Sequence, residues 1–306
     1  MSCSCGHQHT NATLLAESDA DKEAIADLTR QAKAESGPMA TLIRARRDQL
    51  KAEVKAEEAF AKALKTSAID LSKTIEAAIN TGRVQSILGY NDQQLLEFIL
   101  QSGLGLAVDE FIEQTDLIRQ AVQESISAIK ADVNFSAIAS DMEAIQAITA
   151  QTVFDDVILP PVKKGIAESL RDVMLEVPST VIASNLQLKL ERSTGRQLTQ
   201  IKTEISSYGR SINAAVAEQA GLDHYLYTGP KDGITRPFCR QLINLVVDKQ
   251  QMNKLNNGQG LSVLISGGGY NCRHSWSPVS EGFIEAANLT KATSSDITRA
   301  NAKAKR

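Results

Sequence analysis

The chain has 306 residues, enough to bury at least one sizeable core, and its 42 % apolar and 23 % charged residues fit a folded soluble protein rather than a disordered or fibrous one. With 33 Lys and Arg against 36 Asp and Glu, the net charge of −3 excludes a surface coated in positive charge for wrapping nucleic acid. No apolar run approaches the roughly 18 residues of a spanning helix, so no membrane partner is expected.

The start, Met1 to His9, lacks the basic and apolar regions of a signal peptide, and synthesis without export is expected. Cys3, Cys5, His7 and His9 place four soft-metal ligands within seven residues. Residues 1–17 therefore read as a disordered terminus that carries either a metal site or incidental ligands.

From about 18 to 220 the pattern is helical. Ser18-Asp19 reads as a cap for a first helix with apolar Ile25, Leu28 and Ala32, stopped by Gly37-Pro38. A long helix is predicted near 40–80. Leu50, Val54, Ala61, Leu64, Ala68, Leu71, Ile75 and Ala78 recur there at three- and four-residue steps. It would be about 60 Å long at the α-helical rise, and its single apolar stripe requires a partner. Leu64 and Leu71 are the residues expected to meet another subunit or protein.

Gly89, Gly103 and Gly105 punctuate a shorter helix, and residues 106–132 and 136–155 read as two more. Pro160-Pro161 and Pro178 are expected to break the chain. A last helix over 180–219 carries predicted interruptions at Gly195 and Gly209.

After Gly221 the composition changes. Residues 221–283 hold half of the 18 glycines and two of the four cysteines. His224–Thr228 reads as a strand, Gly229–Gly233 as a turn, and Phe238–Val247 as a helix running into a strand. Leu261–Ile265 is a further strand candidate, Gly267–Gly269 a flexible link, and Pro278 a break. The whole reads as a compact module of two to four short strands.

Two segments of this module resemble the phage head morphogenesis family, the Mu F-like minor head proteins of tailed bacteriophages. The first is Tyr225-Leu-Tyr-Thr-Gly-Pro-Lys-Asp232-Gly-Ile-Thr235-Arg236-Pro-Phe-Cys239; the second is Gly267-Gly-Gly-Tyr-Asn-Cys272-Arg273-His274-Ser-Trp276-Ser-Pro278-Val279. The resemblance covers about residues 196–282. The chain departs from the family's pattern where Cys239-Arg-Gln-Leu242 lacks a second thiol and Cys272-Arg273-His274 replaces Cys-Arg-Cys. The resemblance implies a structural virion protein at or inside the head, associated with the portal or other head proteins in several copies, and acting in head assembly or genome delivery.

The residues themselves leave alternatives open. Cys239, Cys272 and His274, with His224 or Asp232 as a fourth, form a set for structural zinc. The same cysteines can form a disulfide, or act simply as small buried hydrophobes. On a strand, Cys272 and His274 would share one face. An enzyme reading pairs Cys239 or Cys272 with His224 or His274 as nucleophile and base, or uses Asp223, His224 and Asp232 in a nuclease. A connector ring between head and tail is a third class. Asp232, Thr235 and Arg236 are expected to hold the turn, and Trp276 to anchor the module's core. Residues 290–306 carry Lys291, Arg299, Lys303, Lys305 and Arg306 against Asp296 alone, and read as a disordered basic tail able to touch packaged DNA.

The predicted organisation is therefore mainly α with a small α+β C-terminal module. Residues 18–195 form the extended helical region, 196–284 the module and 285–306 the tail.

Overall fold

The computed structural model describes residues 18–129 and 133–304. The N-terminal Cys3, Cys5, His7 and His9 lie outside the described residues, as do Lys305 and Arg306. The fold is mainly α, with a small four-stranded mixed sheet in the C-terminal part.

Helix α1 (Asp19–Ala34) opens with Asp19 and Asp21, carboxylates that favour a helix N-terminus. Gly37, at φ +59°, turns the chain into α2 (Gly37–Asn80), a single helix of 44 residues. After α3 (Val84–Leu88), a reciprocal Asn91–Gln94 capping box starts α4 (Asp92–Ile99). A π turn at Leu100–Leu104 follows, kinked where Gly103 takes φ +115°, and α5 (Gly105–Ile129) continues from it.

Helix α6 (Ala139–Gln151) passes through a second π turn, Thr152–Ile158, into α7 (Leu159–Met174). The Pro160-Pro161 pair was expected to break the chain. It sits instead in the first turn of α7, where a missing N–H removes no intrahelical bond. Pro178 does separate α7 from α8 (Ser179–Gln219). That helix runs unbroken for 41 residues, so the interruptions predicted at Gly195 and Gly209 are absent. Gly209 serves close packing: a Cβ there would lie 2.6 Å from Gln49 Nε2.

The chain forms two compact units, and both are discontinuous in sequence. The first contains residues 57–113 and 150–201. Its core includes Phe60, Phe111 and Phe154, packed edge to face with ring centroids 5.1 to 5.9 Å apart. Leu64 and Leu71 are 5 % and 3 % exposed and line a small cavity with Leu104, Ile158, Val162 and Leu190. The apolar stripe of α2 is therefore covered here by its own chain. Leu64 and Leu71 are core residues and not the partner surface the sequence suggested.

The second unit contains residues 19–56, 114–149 and 202–306. Strands β1 (His224–Thr228), β2 (Leu245–Asp248), β3 (Ser275–Val279) and β4 (Thr290–Lys291) lie in the order β3-β1-β2-β4. The first three pair antiparallel, β4 adds parallel to β2, and the short helix α10 (Lys249–Met252) follows β2. Strand alternation divides the side chains. Tyr225, Tyr227, Val247 and Trp276 share one core with α9 (Pro237–Leu242) and the C-terminal α13 (Ser294–Ala304). Leu226, Val246 and Val279 share the other with α1, the start of α2, and α12 (Glu281–Ala286).

Three local expectations differ here. Leu261–Ile265 contains no strand; Val263–Ser266 forms one helical turn, α11, closed by Ser266 N–H to Ser262 O and Gly267 N–H to Val263 O. The three-residue aliphatic run Val263-Leu264-Ile265 carries no usable period, so sequence cannot separate the two. Pro278 lies within β3 opposite Tyr225, which an edge strand permits because one side of its backbone has no partner. The predicted disordered tail is ordered through residue 304. Ile297 and Ala300, three apart on α13, are buried in the first core, and a reciprocal Thr293–Asp296 cap starts the helix.

Candidate metal centre

The site assembles around the residues after α11. Gly267, at φ +55°, ends that turn, and Asn271, at φ +54°, redirects the chain so that Cys272 and His274 arrive before β3 begins. The two are therefore not neighbours on a strand, yet they converge. Cys272 Sγ lies 3.7 Å from His274 Nδ1 and 3.9 Å from the sulfur of Cys239, carried on α9. All three side chains are buried, at 1 to 2 % exposure, and they are the one group of three or more metal-capable side chains among the described residues.

His224, the fourth ligand considered from sequence, does not join them. It begins β1 in phase with Leu226, so alternation points it away from Tyr225 and Tyr227, and it pairs with Glu281 at 3.5 Å. Asp232, the other candidate, is held in its turn. Thr235 Oγ1 donates to Asp232 Oδ1 at 2.8 Å, and Arg273 Nη2 donates to the same oxygen at 2.9 Å. Burial raises the pKa of Asp232, but the hydrogen bonds from Arg273 and Thr235 outweigh it and hold the carboxyl below its ordinary value. Asp223, His224 and Asp232 form no carboxylate cluster of the kind a metal-dependent nuclease needs.

Of the other residues expected to define the module, Arg236 donates to Tyr270 O at 2.5 Å. The Asp232 carboxylate in the turn that Arg236 was expected to hold is instead bound by Arg273. Trp276 is fully buried and donates from Nε1 to Val263 O at 2.9 Å, as its anchoring role predicts.

Several side chains that sequence did not mark complete the site. Tyr227 is fully buried, stacks on His274 with ring centroids 5.2 Å apart, and brings Oη to 3.4 Å from Cys239 Sγ and 3.5 Å from Cys272 Sγ. Gly268 N–H donates to Cys272 Sγ at 3.1 Å. A Cβ on Gly268 would lie 2.3 Å from Cys239 Sγ, and one on Gly229 would lie 2.4 Å from His274 Cδ2, so both positions require glycine's bare backbone.

The buried Arg210 of α8 donates to the carbonyl oxygens of Cys272 and His274. Arg46 of α2 donates to Arg273 O at 2.8 Å while gripping Glu53 through two bonds of 2.9 and 3.2 Å. Nothing in a mid-helix arginine identifies such a role from sequence. Arg273, lying within Cys272-Arg273-His274, was the one residue of this set with a visible signal.

The two thiols do not titrate alike. The hydrogen bond from Cys239 draws the pKa of Cys272 well down against its burial, with His274 and Arg210 adding to the effect. The same hydrogen bond, and then burial, push Cys239 well up. Burial, followed by the adjacent sulfurs, pushes Tyr227 well above its ordinary value. No substrate carbonyl reaches the Cys272 sulfur, which is 2 % exposed, as a nucleophile would require. The arrangement can hold a soft cation or close to a disulfide.

A scan against protein-family models finds no match for the chain, and searches of the curated proteins and of the solved structures find no similar protein.

Proposed function

We propose that this chain is a structural minor head protein of a tailed phage, located in the virion head or neck beside the portal, which acts in head assembly or genome delivery by binding rather than turnover. The observation that carries this reading is the way the two resemblance-bearing segments interlock. Asp232 of the first is ion-paired to Arg273 of the second, and Cys239 of the first meets Cys272 of the second in a closed interior. A Cys/Cys/His group with its sulfurs sealed from solvent supports a clasp that fixes a module, and supports it better than a thiol hydrolase, whose nucleophile must meet its substrate.

The remaining partners belong to the same proposal: other head proteins, the portal, or further copies of this chain. No helix among the described residues is long and apolar enough to cross a membrane. Lys291 is paired with Glu281 and Arg299 with Asp296 at the surface, and a local contact of the C-terminal basic residues with packaged DNA belongs to the same proposal.

The reading is tested by deleting the gene from the genome that encodes it. Heads that fail to assemble, or particles that fill but do not deliver DNA, are expected. An undiminished yield of infectious particles would overturn it.

A further inference from the structure

We propose that Cys239, Cys272, His274 and Tyr227 form a closed four-donor zinc site that fastens the loop 267–274 to the sheet. The inference stands apart from the head-protein reading, since a chain with or without zinc could serve in a virion.

The argument is geometric. Zinc takes sulfur at about 2.3 Å and nitrogen or oxygen at about 2.0 Å in a tetrahedron, so two sulfurs on one ion lie about 3.8 Å apart, and sulfur lies about 3.5 Å from nitrogen or oxygen. The chain holds Cys239 Sγ and Cys272 Sγ 3.9 Å apart, and Cys272 Sγ and His274 Nδ1 3.7 Å apart. Tyr227 Oη lies 3.4 and 3.5 Å from the two sulfurs. These four separations match tetrahedral edges, and the atoms of Cys239 and His274 fall within the 4.8 Å that spans the group.

The surroundings fit the same ligand set. His274 Nε2 lies 3.0 Å from Pro230 O. A carbonyl only accepts, so Nε2 carries the proton and Nδ1 presents its lone pair toward the sulfurs, the tautomer and outer hydrogen bond typical of a metal-bound histidine. Gly268 N–H donates to Cys272 Sγ, as backbone amides do to metal-bound thiolates, and the bare backbone of Gly268 clears the space beside Cys239.

Charge agrees as well. Two thiolates and a phenolate around a dication give a net charge of −1. The buried Arg46 and Arg210 bring two positive charges, and Glu53 supplies one carboxylate against them. Four protein donors leave no open position, which assigns a structural rather than a hydrolytic ion.

The test uses the full chain, purified without chelator, with metal measured by mass spectrometry. One zinc per chain is expected. Cobalt substitution should give thiolate charge-transfer absorption and the intense d–d bands of a four-coordinate ion. Cys272→Ser should abolish binding. Because that variant can lose the fold, Tyr227→Phe is the sharper probe: it keeps the ring and should weaken cobalt binding by at least about tenfold with altered d–d bands. His224→Ala should leave the metal content unchanged. A folded, metal-free chain in which Cys239 and Cys272 are both free thiols would overturn the proposal, as would one with a Cys239–Cys272 disulfide. Unchanged cobalt affinity and spectrum in Tyr227→Phe would overturn the four-donor assignment.

Discussion

Arg210 Nη1 donates to the main-chain oxygens of both Cys272 and His274, at 3.1 and 2.9 Å, from a side chain that is 1 % exposed. One guanidinium thus ties the loop that delivers two of the site's side chains to the long helix α8. Its further bonds run to Ile265 O and Ser207 Oγ, so the positive charge is met chiefly by oriented carbonyls. Removing it strands three buried acceptors at once.

Arg210→Met is therefore expected to destabilise the chain by about 3 kcal/mol or more, measured by urea unfolding. Arg210→Lys keeps the charge but loses the planar fork, and should recover only part of that loss. Equal stability in all three proteins would contradict the loop-anchoring role.

Arg46 and Glu53 form a buried bidentate pair seven residues apart on α2, with Gln49 and Ser206 completing the carboxylate's contacts. Glu53→Gln leaves Arg46 buried without its countercharge and should cost roughly 3 to 5 kcal/mol. The double variant Arg46→Met/Glu53→Leu should lose much less than the sum of its single variants, giving a coupling energy above about 1 kcal/mol in a double-mutant cycle.

Asp232 sets an acid limit. Its pKa is lowered in the folded state, so its contribution is present above the unfolded value, about 3.9, and is lost as pH falls through the folded value. Stability measured from pH 6 downward should fall below about pH 4, and Asp232→Asn should flatten that fall while lowering stability at neutral pH. A variant with the same acid slope as the parent would remove Asp232 as its source.

Leu71 lies in the first unit's core, whereas Leu106 is 65 % exposed. Leu71→Ala should cost about 2 to 5 kcal/mol, while Leu106→Ala stays within about 0.5 kcal/mol. Sedimentation should show unchanged self-association for Leu71→Ala, because that side chain meets only its own chain.

The long helix near 40–80 and the strand at His224–Thr228 were legible in the sequence, and Cys239, Cys272 and His274 were legible as a candidate ligand set beside other readings, because apolar period, aromatic alternation and ligand type are written locally. The sequence could not show what covers Leu64 and Leu71. An apolar stripe demands burial without naming its cover, and segments 33 to 126 residues along the chain provide it. The same limit hid Arg46 and Arg210, whose carbonyl partners lie 227 and 62 to 64 residues along the chain. The C-terminal helix was missed for another reason. Its buried face rests on Ile297 and Ala300, too little apolar surface to stand out among Ser, Thr, Lys and Asn. Tyr227 read as an ordinary strand aromatic, since its role depends on two sulfurs that only the fold brings to its hydroxyl.

The central claim is that the chain is a fixed part of a phage particle. It is tested most directly by isotope-standard mass spectrometry of particles from its own genome, following the ratio of this chain to the portal protein through gradient, chromatography and nuclease treatment. The account predicts a constant, non-zero ratio at every step. A ratio that falls toward zero as the particles become purer would contradict it.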